Sequence, residues 1–200
     1  MKAYLSEYLG TTFLLMIVVG SGIMGQSLSD NDSITLLANT IATGSGLIVL
    51  ILMFGKISGA HFNPFVSLAM FFRKKIKSDL LKYYIPAQIS GCLFGVMLAN
   101  VFFEHALLEL STKNRDGLHI FFSEIVATFG LIFIIFATLK DGKTIVAISV
   151  ATYISAGYWF TSSTSFANPA VSIARTFTDS FTGINYCLLY TSPSPRDSGK

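Results

Sequence analysis

Five stretches of this 200-residue chain are apolar over about the length a lipid bilayer demands, and that restricts the fold more than any single motif. They run from Tyr4 to Gly25, Ile34 to Phe54, Leu80 to Phe103, Leu118 to Leu139 and Thr144 to Phe160. A hydrocarbon core of about 30 Å takes roughly 20 helical residues, and each crossing must satisfy its own backbone polar groups. The expectation is an all-α membrane protein. Composition agrees, with 52% hydrophobic and 12% charged residues and a mean hydropathy of +0.62. The first span lacks a basic leader of any length and runs past the apolar region of a signal peptide, so it reads as retained.

Two shorter apolar segments break this pattern. HFNPFVSLAM (61–70) and FANPAVSIAR (166–175) each place Asn before Pro inside hydrophobic sequence. Asn is a favoured N-cap, and Pro at the next position loses no hydrogen bond, so each pair predicts a helix start. The helices would run from Pro64 to Arg73 and from Pro169 to Thr178, about 15 Å each, or half a bilayer. A half-crossing leaves irregular backbone at membrane depth, which is tolerated only when buried in protein or lining a water-filled cavity.

The two segments belong to an internal repeat. SEYLGTTFLLMIV from Ser6 parallels SEIVATFGLIFII from Ser123, each with Glu in the first turn and each followed, one crossing later, by Asn-Pro. An odd number of crossings per copy inverts the second copy, and such folds place their sites near the midplane where broken helices meet. Lys2, Lys56, Arg73, Lys74, Lys75, Lys77, Lys82, Lys140 and Lys143 fall on one side of the path, against Lys113, Arg115 and Arg175 on the other. The N-terminus is therefore read as cytoplasmic. The basic residues follow topology, so the sequence points to no nucleic-acid partner.

These motifs resemble the signature loops of the major intrinsic protein, or aquaporin, family. The resemblance extends from Tyr4 to about Ile184. It rests on SGAHFNPFVSLAM and FANPAVSIAR together with Glu7, Glu124 and YIPAQISGCLFG with its Gln88. It implies one channel domain over 1–184, with repeat one at 1–110 and an incomplete repeat two at 118–184. The fold would hold five visible transmembrane helices and two re-entrant half-helices in an inverted repeat, in a subunit of a homotetramer. The dual motif would be Asn63, Pro64, Phe65 with Asn168, Pro169, Ala170. Gly59, Ala60, His61 and Phe62 would turn carbonyls to the pore, and Glu7 and Glu124 would brace the loops. The implied activity is passive conduction of water and small neutral solutes across a bilayer, without cofactor, metal or catalysis. Secondary transport with broken helices is the lesser alternative, since only Asn, Ser and Thr mark the midplane.

Three departures from the family pattern stand out. Phe65 replaces the usual Ala, and its ring either crowds the lumen or turns into helix-facing space. Val171 stands where the family carries Arg, so the outer constriction, with walls assigned to Thr43, Ala156 (or Gly157 if the register slips), Ser165 and Val171, is expected to lack its fixed cation. This set resembles bacterial aquaporins found with arsenic-resistance genes, which implies glycerol-like polyols and uncharged metalloid hydroxides as solutes and a bacterial inner membrane as location. Finally, no sixth apolar span follows Ile184. Residues 185–200 are Ser/Pro-rich and read as a non-native or disordered tail, which makes a non-conducting fragment the rival reading. Cys92 is expected to pack against a neighbouring helix beside Gly91 and Gly95, Cys187 falls in the tail, and His105 and His119 are read as solvated or interfacial.

Overall fold

The computed structural model describes residues 2–115 and 117–185. Within them the elements are α1 (Ala3–Leu28), α2 (Asp32–Phe54), α3 (Pro64–Phe72), α4 (Ser78–Phe102), α5 (Leu118–Thr138), α6 (Lys143–Phe160) and α7 (Pro169–Arg175). Four of these, α1, α2, α4 and α5, are long and apolar enough to cross a membrane by length and composition. Helix α6, the expected fifth crossing, has 18 residues, about 27 Å at 1.5 Å per residue. It carries Ser149, Thr152, Tyr153, Ser155, Gly157 and Tyr158 among its apolar residues, which lowers its hydropathy.

Helix α1 is the centre of repeat one, packed between α2 and α4. Leu15 and Val19 are fully buried, and so is Glu7. Its approach to α4 depends on two glycines. A Cβ on Gly91 would lie 2.2 Å from Thr11 Oγ1 and 2.4 Å from the Tyr8 carbonyl, and one on Gly95 would lie 2.4 Å from the Thr12 carbonyl. Small residues at such seams let backbones meet in lipid. Cys92, between them, is buried and free, as expected for a packing residue; Cys187 lies outside the described residues.

Both half-helices form where the Asn-Pro pairs predict them, and each Asn caps its own helix. Asn63 Oδ1 accepts from Phe65 N at 2.9 Å, and Asn168 Oδ1 accepts from Ala170 N at 3.1 Å. Helix α7 stops at Arg175 rather than Thr178. The Thr176 hydroxyl donates to the Ile173 carbonyl at 2.7 Å, and Ile184 N donates to the Arg175 carbonyl at 3.2 Å. Those carbonyls are thereby satisfied without a further turn.

The segment joining the repeats, described at 103–115 and 117, runs across one end of the bundle and ties itself to the chain that follows α7. Ser111 N donates to Thr176 O at 3.0 Å and Asn185 N to Lys113 O at 2.9 Å, while Thr112 N donates to Asp179 Oδ1 at 2.9 Å. His105 and His119 lie exposed at this end, with His105 3.5 Å from Glu109.

Repeat two is not covered as repeat one is. A lateral groove of about 590 Å³ runs between α5 and α7, lined by Glu124, Phe129, Ile132, Pro169 and Phe65. In repeat one the corresponding face of α1 is filled by α4. Among the described residues, no helix fills the groove. Most of the expected tail, 186–200, lies outside them.

Candidate functional site: two facing loops and the cavity between them

The two loops that lead into α3 and α7 have the same backbone although their sequences differ. In the first, Gly59, Ala60 and Phe62 have φ of 90°, 50° and 52°; in the second, Thr164, Ser165 and Ala167 have φ of 64°, 52° and 43°. Five of these six residues are not glycine. Holding them in the left-handed region costs on the order of 1–3 kcal/mol each, so the surroundings must hold each loop in place.

A carboxylate does so in each repeat, fully buried at Glu7 and half-buried at Glu124. Glu7 Oε1 accepts from Ser58 Oγ at 2.5 Å and from His61 N at 3.0 Å, while Oε2 accepts from Phe62 N at 2.7 Å and Gln88 Nε2 at 2.8 Å. Glu124 repeats the pattern. Its Oε1 accepts from Ser163 Oγ and from Phe166 N at 3.0 Å, and its Oε2 accepts from Ala167 N at 2.7 Å. Hydrogen bonds to a charged acceptor are the strong ones. Thus both glutamates brace their loops. Each serine hydroxyl also accepts a backbone N–H two residues on, Ala60 N at 3.0 Å and Ser165 N at 3.2 Å.

Sequence reasoning did not single out Ser58 and Ser163. Alone, a serine carries no signal. The readable clue was paired spacing, since each stands five positions before its Asn in two copies of one repeat. Ser67 and Tyr84 were also missed. Gln88 Nε2 donates to Ser67 Oγ at 2.9 Å, His61 Nδ1 lies 3.0 Å from the same oxygen, and Tyr84 Oη donates to Ser58 O at 2.7 Å. The His61 ring thus helps hold the first loop, while its backbone lines the cavity.

The loops meet through a reciprocal pair of hydrogen bonds. Asn63 Nδ2 donates to Ala167 O at 2.6 Å, and Asn168 Nδ2 donates to Phe62 O at 2.7 Å. An amide NH₂ has two N–H donors. One from each Asn is spent across the joint; the second has no protein acceptor among the described residues. Phe62 O, one of the carbonyls expected to face the pore, commits one of its two lone pairs to Asn168.

A cavity of about 120 Å³ passes this joint, with both asparagines in its wall. Its lining runs from Leu139 and Val146, beside the α5–α6 turn, to Tyr158 and Arg175 at the opposite end. Gly59, Ala60, His61 and Phe62 all contribute, as do Thr43, Ser165 and Val171.

One assignment changes, and one open alternative is decided. Ala156 is exposed on the outside of α6, while the next residue, Gly157, is buried, and a Cβ there would lie 2.6 Å from Ser165. One residue of slip turns a helix by about 100°, and the α6 residues that line the cavity are Val146, Val150, Ile154 and Tyr158, not Ala156 or Gly157. Phe65 has a similar outcome: it lines the lateral groove and not the cavity, and is 45% exposed. Its ring turns away from the lumen.

Arg175 adds a feature to the end of the cavity beside Tyr158. It is only 4% exposed, lines the cavity, and donates from Nε to Thr182 O at 2.5 Å. Tyr158, also in the lining, has its hydroxyl 3.2 Å from that of Thr43.

Fold and site together define a membrane protein with an inverted repeat, two re-entrant half-helices meeting tip to tip, and a narrow cavity past their joint. A profile of the Major intrinsic protein family matches residues 1–190, and the chain belongs to that family. It is 46% identical over 179 residues to the aquaglyceroporin AqpS of Rhizobium meliloti (strain 1021), covering 90% of this chain and 77% of that protein. It is 31% identical to aquaporin NIP2-1 of Zea mays over 72% of this chain and 49% of the relative, and 29% identical to aquaporin-4 of Mus musculus over 75% and 48%. The chain thus spans about half the length of the latter two. Among solved structures, the X-ray structure of the aquaglyceroporin from Plasmodium falciparum shares the fold, with a TM-score of 0.66 at 21% identity over 90% of this chain and 78% of that one.

Proposed function

We propose that the chain forms a passive transmembrane channel for water and small neutral solutes of glycerol size, including uncharged metalloid hydroxides. The reciprocal Asn63–Ala167 and Asn168–Phe62 bonds carry this reading. They hold two amide groups at one level of the cavity, each with a second N–H to spare. A water molecule accepting from both has its hydrogens directed away from the joint on both sides, which interrupts a proton wire. Loop carbonyls supply acceptors in sequence, replacing hydrogen bonds that a solute gives up with bulk water. The helix N-termini at the joint add positive potential that disfavours cations.

The test is stopped-flow swelling of proteoliposomes in glycerol gradients, with sucrose as the impermeant control. Water and glycerol fluxes above those of empty vesicles are expected, and fluxes equal to those of empty vesicles would overturn the reading. The arsenite arm of the same measurement tests metalloid hydroxides. Assembly as a homotetramer in a bacterial inner membrane, with the N-terminus in the cytoplasm, is part of the proposal.

The lateral groove favours a second reading, in which these 200 residues alone are a non-conducting piece. Among the described residues it leaves Glu124 without the cover that α4 gives Glu7. An intact joint by spectroscopy with no flux would support this second reading.

A further inference from the structure

We propose that Arg175 supplies the fixed cation of the outer lumen and, through its free Nη donors, selects small neutral hydroxylated solutes over cations at that level. The inference rests on the channel reading and deepens it. Val171 occupies the first turn of α7, and Arg175 stands four residues on, one helical turn nearer the outer end. Its side chain lines the same cavity as Thr43, Tyr158, Ser165 and Val171.

The guanidinium keeps its charge under all ordinary conditions, and a buried charge without partner or water is costly. Arg175 is buried, yet has no ion pair among the described residues. Nε is used by Thr182 O, and the Phe166 ring packs 4.6 Å from the guanidinium carbon. Neither Nη donates to a protein acceptor among the described residues. The compatible environment for those donors is the water-filled lumen that the side chain borders. Nearby Arg115 is committed differently, with Nη1 donating to Thr164 Oγ1 at 3.2 Å and Nη2 to Phe181 O at 3.0 Å.

A second observation lies in the same wall. Ser165 is 4% exposed and lines the cavity, and its hydroxyl, covered in this structure, has no hydrogen-bond partner. With the Tyr158–Thr43 hydroxyl pair, the outer lumen offers N–H donors that need oxygen acceptors and hydroxyls that both give and accept. Glycerol-like solutes match this set, carrying several hydroxyl groups and no charge. A cation meets the guanidinium, and no carboxylate stands in the cavity lining among the described residues to offset it.

Two measurements test this, the second independent of conduction. In proteoliposomes, Arg175→Met is expected to lower the glycerol-to-water permeability ratio about tenfold, the scale of one lost charged hydrogen bond, and to raise sodium leak. Arg175→Lys should keep leak low. Unchanged ratio and leak in Arg175→Met would overturn the proposal, and reduced thermal stability without a change in either would assign Arg175 a purely structural role. Loss of flux in the unsubstituted protein would instead count against the channel reading. Solid-state NMR of ¹⁵N-arginine protein in lipid then decides the inference directly. The resonances lost in Arg175→Lys should show Nη contact with water and shift with added glycerol, and no water contact and no shift would refute it.

Discussion

Glu7 and Glu124 hold equivalent loops but carry different loads. Four donors converge on Glu7 and three on Glu124, and only Glu7 is fully buried. Each buried donor left unpaired costs about 1–3 kcal/mol. Glu7→Ala should therefore destabilise the protein by several kcal/mol and Glu124→Ala by less, measured as thermal unfolding in detergent. Equal losses would mean that burial around Glu7 contributes nothing further. Phe65 leads to a different expectation. Because its ring lies in the lateral groove, Phe65→Ala should leave osmotic water permeability within about twofold, the exposed contact being worth little. A large rise would place the ring in the lumen.

At the level of elements, the seam between α1 and α4 decides how repeat one closes over Glu7. Gly91 and Gly95 allow α4 near enough for Gln88 to reach Glu7 and Ser67. A Cβ at Gly95 would press on the Thr12 backbone carbonyl, which cannot rotate aside. Gly95→Val should cost about 1–3 kcal/mol through overpacking and, by moving α4 outward, weaken the Gln88–Glu7 bond. A lower unfolding temperature together with a changed His61 amide resonance would record both effects. The seam was readable as small residues at regular spacing. Which helix they met was not, because the apolar pattern of α1 leaves several faces available.

Across the whole molecule, the width of the cavity depends on residues from both repeats. Val171 comes from α7, Thr43 from α2 and Ser165 from the second loop. Val171→Arg would add a long side chain with several donors to a cavity of about 120 Å³ that already contains Arg175. Glycerol flux should fall more than water flux, because the larger solute loses passage first. Equal solute-to-water ratios in stopped-flow experiments would place the constriction elsewhere.

The helices and the half-helix starts were legible because each depends on local chemistry, apolar length and Asn-Pro capping, whereas the bracing role of Glu7 and Glu124, a carboxylate repeated at one position in two copies, was legible only through the family resemblance. Ser58 and Ser163 were hidden because a single hydroxyl has meaning only beside the carboxylate it meets. The lumen face of α6 and the direction of Phe65 were also beyond the sequence. A shift of one residue turns a helix by about 100°, and both lipid and lumen accept small or aromatic side chains. The sequence by itself determined that two half-helices start inside the bilayer. The tertiary structure decided that their asparagines cross-bond, that Gly157 rather than Ala156 packs against Ser165, and that a guanidinium returns to the outer lumen from Arg175. Those outcomes depend on the relative placement of α2, α6 and α7, which no local pattern encodes.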